Sequence, residues 1–341
     1  MPQHRAGDHT ILFSNRPRIL ESASVVGPKE GRGPHANGFD LVLEDALFGQ
    51  QSYEQAEHAM FQEACERCLK KADMPKERVQ ALLGGDLLNQ IMAASLAARE
   101  LSIPFLGLYG ACSTMAESLI LGSMLVDGGY ASPVLCAAGS HYCTAERQYR
   151  FPLEYGNQRT PAAQWTVTGA GACLLSDEGP ALARVLMATI GQVVDLGIRD
   201  ANNMGAAMAP AAADTLIRHF LDTGRKPEDY DRVITGDLGQ VGADILHELM
   251  TERGYPIPEG QYMDCGLSIF RKEDDVHAGG SGCGCSASIL SAAILPKLKS
   301  GAWRRVIFMA TGALLSPTTS QQGETIPGVA HAVVLEGGED A

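Results

Sequence analysis

The chain has 341 residues, 45% of them hydrophobic and 20% charged, which is a globular composition and not a disordered one. A formal net charge of −13 argues against phosphate-backbone binding, since nucleic-acid binders carry a clustered basic excess, although a local basic pocket remains compatible with it. No apolar run reaches the ~18 residues needed to cross a bilayer, and the opening MPQHRAGDHT lacks the apolar core of a secretory signal. The expectation is a protein made in the cytoplasm, with neither a signal peptide nor a transmembrane segment.

In chain order, the first feature is the segment Val26–Asp40, rich in Gly, Pro and charge, which reads as a mobile surface arm or a pocket cover. SYEQAEHAMFQEACERCLKKADM follows as an amphipathic helix opened by a capping box at Ser52 and Gln55. Cys65 and Cys68 form a CxxC inside it, with no second pair at zinc-finger spacing, so metal or redox use is not expected. The nine cysteines are scattered and odd in number, the distribution of reduced thiols and not of a disulfide framework. FLGLYG reads as a strand and STMAESLILGSMLVDGG as a helix. VLCAAG and VIFMATG are apolar on both faces, as central strands covered on both sides would be. SASILSAAILPKLKSG is a second small-residue helical pattern that ends in Gly.

The chain repeats itself. VQALLGGDLLNQ resembles DRVITGDLGQVG, ASPVLCAAGS resembles WRRVIFMATGA, and GAGACLLSDEG resembles GVAHAVVLEGG, in the same order and offset by about half the chain. Alternating strands and helices imply mainly parallel sheets with right-handed crossovers. The prediction is a duplicated α/β protein with halves at residues 1–180 and 181–341.

Cys112 lies at the predicted joint between FLGLYG and the following helix, where free N–H groups and the helix dipole favour a thiolate. Gly110 suits the tight turn before it. Two readings stand: a nucleophile for acyl transfer through a thioester, or a small residue filling a crowded turn. His141 is the histidine best placed to serve such a thiol, at the carboxyl end of the strand PVLCAAGS, where ligands bind in open α/β sheets. His219 and His247 fall in helical patterns and His331 in a strand, which suggests packing or surface roles; His277 opens a Gly-rich turn. Asp237 follows the strand DRVITG, and Asp86 holds the matching place in the first half. The turn HAGGSGCGCSAS offers consecutive backbone N–H groups as an anion-binding concavity, or simply a tight turn beside a packed helix. GxGxxG is absent there, which rules against a dinucleotide site.

Taken in order, ACSTMAESL, GSHYCTAERQYRFPLEYG, GAAMAPAAADTL, TGDLGQVG, AGGSGCGCSA and ATGALLSP resemble the stage V sporulation protein AD family, from about Gly27 to Glu336. The resemblance implies a thiolase-like duplicated fold, five-layered α-β-α-β-α with two mixed, mainly parallel sheets, and a homodimer. Condensing enzymes of that fold pair a cysteine with His–His or His–Asn. Here Cys112 matches the nucleophile, Asp237 stands where the histidine is expected, and Ser281 where the asparagine is expected. An ionised carboxylate cannot donate to a developing oxyanion and repels it, whereas a protonated Asp237 could donate, which needs a strongly raised pKa. The implied protein is therefore not an enzyme. It would bind dipicolinic acid (pyridine-2,6-dicarboxylate) or its calcium complex for uptake into the developing spore. Its implied partners are membrane proteins of the spoVA operon, and its place the periphery of the spore inner membrane. No cofactor is expected beyond calcium carried by the ligand. The expected ligand-binding residues are Cys112, His141, Arg147, Arg150, Asp237, Gly280, Ser281, Gly282 and Cys283. An active acyl-CoA condensing enzyme using Cys112, and a scaffold with an incidental pocket, are the alternatives.

Overall fold

A computed structural model describes residues 4–149 and 159–337. Its first half runs β1 (Thr10–Leu12), β2 (Arg18–Val26), β3 (Leu41–Val42), α1 (Tyr53–Lys71), β4 (Ala81–Gly85), α2 (Met92–Leu101), β5 (Phe105–Gly107), α3 (Thr114–Asp127), β6 (Val134–Ser140), α4 (Tyr142–Tyr149), β7 (Trp165–Thr166) and β8 (Gly169–Ser176). The second runs β9 (Ala183–Thr189), α5 (Met204–Thr223), β10 (Arg232–Thr235), α6 (Gly239–Glu252), β11 (Tyr262–Asp264), α7 (Cys265–Ile269), β12 (Gly280–Ser281), α8 (Cys283–Ile289), α9 (Leu295–Lys299), β13 (Arg305–Ala313), α10 (Pro317–Gln321) and β14 (Gly328–Glu336).

The sequence echoes become a topological duplication. One set of strands is ordered β2-β8-β6-β4-β5 and the other β9-β14-β13-β10-β11. In both, the two pairings nearest the first strand are antiparallel and the two outermost are parallel. The sets meet antiparallel through only Arg18↔Arg184 and Ile19↔Ala183.

Strand alternation sorts the side chains into layers. Leu82, Leu135, Ala172 and Leu174 face Met60, Phe61 and Ala97 of α1 and α2. Their neighbours Leu83, Cys136, Cys173 and Leu175 face Met115 and Leu119 of α3, together with Phe308 and Val333 of the second set. Ile307, Met309 and Val334 turn the other way, towards Leu216, Phe220 and Leu246 of α5 and α6. α3 and α8 are thus the shared middle layer, which explains why VLCAAG and VIFMATG are apolar on both faces.

Three local expectations need correction. β5 ends at Gly107, and Cys112 sits in a 3-10 turn, Ala111–Ser113, ahead of α3. The left-handed residue of that turn is Ala111 at φ 50°, not Gly110, whose φ is −106°. A non-glycine residue there stores about 1 kcal/mol or more of backbone strain. The turn is held from the side by β13: a Cβ on Gly312 would lie 2.3 Å from Gly110 O. The segment 26–40 is also no mobile arm. Glu30 is buried within it, its Oε1 accepts the Thr168 N–H at 2.9 Å, and Gly27 N–H reaches Thr168 O at 2.8 Å. Burial pushes the Glu30 carboxyl up to about 7. In α1, Ser52 Oγ accepts the Gln55 N–H at 3.2 Å, while Gln55 reaches back to the Gln51 N–H and not to that of Ser52. Cys65 and Cys68 are free and buried, and no group of His, Cys, Asp and Glu among the described residues can hold a metal ion.

Two predictions follow from this packing. Gly312→Ala drives a methyl into backbone and should cost about 1–3 kcal/mol in denaturant unfolding; a cost near zero would mean that the turn is not clamped by β13. Because Glu30 keeps its proton up to about pH 7 in the fold and only to about 4.5 when unfolded, the folded state binds more protons in that window, and stability falls as pH rises through it. Glu30→Gln has no such loss, so its stability relative to the parent should rise by roughly 1–3 kcal/mol between pH 5 and pH 8. A pH-independent difference would contradict this assignment.

Candidate functional site

The carboxyl ends of β4, β6 and β13 and the turn before α3 open on one narrow cavity, as expected for an open α/β sheet. Leu87, Ala111, Cys112, Ala145, Tyr149, Thr166, Met204, Ala313 and Leu315 form most of its wall, with Ser281 and Glu146 as further polar members. The cavity holds about 520 Å³ of atom-free space including its open mouth, yet only about 40 Å³ admits the centre of a water molecule. It is therefore a narrow cavity with largely apolar walls.

Cys112, 5% exposed, lies 3.9 Å from Ser281 Oγ. Ser281 donates to Asp237 Oδ2 at 3.0 Å, Gly282 N–H donates to the same oxygen at 2.9 Å, and Thr311 Oγ1 donates to Asp237 Oδ1 at 2.8 Å. Asp237 is fully enclosed and acts as acceptor throughout. Burial raises its carboxyl pKa, while the hydrogen bonds, that with Cys112 first among them, pull it down. The thiol responds in the opposite sense to a Cys–His pair: burial, then the Asp237 charge, pushes Cys112 well above the ordinary thiol range. The proton stays on sulfur. The thiolate that the helix terminus suggested is thus overruled by desolvation and a neighbouring carboxylate.

Sequence duplication explains how Asp237 came free for this task. Asp86, its counterpart, spends Oδ1 on Leu88 N–H and Oδ2 on Ala94 N–H, both at 2.7 Å, to cap α2. In the second half Asp264 does the capping: it accepts from Leu238 N–H at 2.9 Å, Gly239 N–H at 3.2 Å and Thr235 Oγ1 at 2.7 Å. The positions equivalent to Thr235 and Asp264 in the first half are Gly84 and Gly107, which pair across β4 and β5 as Thr235 and Asp264 do across β10 and β11.

Of the residues singled out from sequence, Cys112, Asp237, Ser281 and Gly282 converge. His141 does not. Its Nδ1 accepts Cys143 N–H at 3.1 Å and its Nε2 donates to Ala46 O at 2.8 Å, so the buried ring ties the start of α4 to the 43–52 loop. Arg147 has a side chain 55% exposed and pairs with Glu54 at 2.7 Å, away from the cavity wall. Arg150 lies outside the described residues. Gly280 pairs with Trp165 in the short β7–β12 ladder, and Cys283 donates its thiol to Gly139 O at 2.9 Å. The Gly-rich turn is not an anion concavity. Gly279 N–H goes to Val276 O, Gly282 N–H to Asp237, Gly284 N–H to Ser140 Oγ and Cys285 N–H to Gly282 O. His219 bridges Thr189 Oγ1 and Tyr230 OH, His331 accepts from Gly191 N–H, and neither lines the cavity. Sequence reasoning missed Thr311, whose only signal is a hydroxyl inside the apolar run VIFMATGA. It also missed Tyr149, whose hydroxyl donates to Leu87 O and meets Tyr109 OH at 3.1 Å.

A duplicated five-strand topology with a cysteine turn facing the carboxyl ends of both sheets defines the thiolase-like class. Solved structures agree: 3-oxoacyl-[acyl-carrier-protein] synthase III from Aquifex aeolicus superposes with a TM-score of 0.58 at 13% identity, covering 94% of this chain and 99% of that one. Human mitochondrial 3-ketoacyl-CoA thiolase does so with 0.58 at 13% identity, covering 95% and 99%. Within that class the chain belongs to the Stage V sporulation protein AD (SpoVAD) family, which matches residues 7–336. It is 46% identical over 330 residues to stage V sporulation protein AD of Bacillus subtilis (strain 168), covering 97% of each chain.

If Asp237 holds the proton on Cys112, Asp237→Asn lowers the thiol pKa. Alkylation of the Cys112 peptide by iodoacetamide at pH 8, followed by mass spectrometry, should then accelerate about tenfold or more. An unchanged rate would show that burial alone silences the thiol.

Proposed function

We propose that this sporulation protein is a non-catalytic receptor for dipicolinic acid, most readily as its calcium complex, on the way into the developing spore. The observation that carries the reading is Asp237. A condensing site needs a donor to the oxyanion and a base for the thiol; Asp237 accepts from Ser281, Gly282 and Thr311 and keeps Cys112 protonated. Losing one oxyanion donor costs about 10²–10³ in rate, and here the replacing group repels the charge as well. Membership of the SpoVAD family supports the sporulation role.

The slot suits a planar ring between apolar walls. Among the described residues its lining includes Glu146 and no Lys, Arg or His, with Asp237 directly behind Ser281. A free dianion entering that field is repelled, whereas in the calcium complex the metal offsets the ligand's charge. Calcium is then carried by the ligand and is no resident cofactor. No helix among the described residues is long and apolar enough to cross a membrane. Peripheral association with the spore inner membrane would run through the membrane proteins of the spoVA operon. A homodimer is part of the same proposal. β5 ends the sheet with Leu106 and Tyr109 exposed and with no charged residue from Phe105 to Thr114, an edge that a second copy can cover.

Calorimetric titration with dipicolinate, with and without excess calcium, is the test. Saturable binding that tightens with calcium is the expected result. No heat at millimolar ligand in either condition would leave only a scaffold, and an acetyl adduct on Cys112 after incubation with acetyl-CoA would favour a condensing enzyme.

A further inference from the structure

Asp86, adjacent to Leu87 of the cavity wall, is fully buried and holds two backbone N–H groups, as described above. A second carboxylate, Glu57 of α1, is 2% exposed. Its Oε2 accepts the Thr144 hydroxyl of α4 at 2.6 Å, and its Oε1 is buried without a hydrogen-bond partner. Asp86 is the strongest charge acting on Glu57, followed by Glu54 of the same helix, itself paired with Arg147 of α4. The Cys283 thiol of α8 feels both carboxylates. No cation among the described residues acts on either member of the pair. Burial raises both carboxyl pKa values, that of Glu57 further through the Asp86 charge.

Two neighbouring carboxylates removed from water cannot both ionise, so the pair titrates as a unit. Asp86 receives two donors and is stabilised as the anion; the orphaned Oε1 marks Glu57 as the proton carrier. We propose that Glu57 and Asp86 form a one-proton latch behind the cavity wall, joined to it through Leu87. With the proton on Glu57, Asp86 keeps its charge and its grip on Leu88 and Ala94, which fixes the segment that carries Leu87. Loss of the proton sets two buried anions against each other and loosens that segment. Tyr149, also in the wall, donates to Leu87 O and moves with it. Any effect on ligand affinity rests on the receptor reading above; the latch itself does not.

The test uses the full-length protein without ligand. Infrared difference spectra at pH 7 between the parent and Glu57→Gln should contain one protonated-carboxyl band that only the parent has. The acid's contribution to stability is fully present at low pH and is lost as pH rises through its raised folded pKa. The melting temperature of Glu57→Gln relative to the parent should therefore climb by about 2 °C or more between pH 6 and pH 9. Asp86→Asn loses the α2 cap and melts lower throughout, but its Glu57 band should vanish at a lower pH than in the parent, because the neighbouring charge is gone. That variant keeps the proposal testable if Glu57→Gln does not fold. Absence of the band in the parent, a pH-independent gap in melting temperature, or an unshifted band in Asp86→Asn would each overturn the latch.

Discussion

The hydrogen bonds that converge on the Asp237 carboxylate hold the rest of the site in place. They tie together the end of β10, the turn between β12 and α8, and the end of β13. Each donor left without this acceptor would be a buried polar group that has lost its partner, at about 1–3 kcal/mol apiece. The carboxylate is therefore as much a structural hub as a chemical one. The same charge keeps the proton on Cys112, so the interaction that assembles the cavity also disarms its nucleophile.

The two halves share strand order and direction, yet they treat equivalent aspartates differently. A glycine pair, Gly84 and Gly107, lies across β4 and β5 where Thr235 and Asp264 lie across β10 and β11. With no side chain there, Asp86 takes the capping of α2. With Asp264 present, the capping of α6 is already met, and Asp237 turns to Ser281, Gly282 and Thr311. One acidic residue at a strand end thus decides which half of a duplicated scaffold carries the special site. Both aspartates end up buried among other acids, Glu57 beside Asp86 and Asp264 beside Asp237. That interior is tolerable because backbone N–H groups and hydroxyls solvate the charges, and because burial raises the carboxyl pKa values so that some protons remain.

Much of the fold was legible in the linear sequence. Hydrophobic runs apolar on both faces marked the central strands, and echoes half a chain apart announced the duplication. The order of motifs also placed Cys112, Asp237 and Ser281 in one site, since loops at the carboxyl ends of strands meet whatever their separation in sequence. His141 met the same positional criterion and still failed to reach the cavity, because its two ring nitrogens are taken by Cys143 N–H and Ala46 O. The Gly-rich turn failed for a related reason: the N–H groups of Gly282 and Gly284 are spent on Asp237 and Ser140, and those of Gly279 and Cys285 on the turn itself.

The sequence by itself determined what depends on local periodicity and on repetition: which segments are strands, which are helices, and that the unit occurs twice. Only the tertiary structure decided which polar groups satisfy one another. A side chain's periodicity is a property of its own segment, whereas its hydrogen-bond partner and its desolvation are set by residues that arrive from elsewhere in the chain. For that reason the thiol's position was predictable and its protonation was not. A helix terminus argues for a thiolate from local sequence, and a buried carboxylate contributed from β10 reverses the answer.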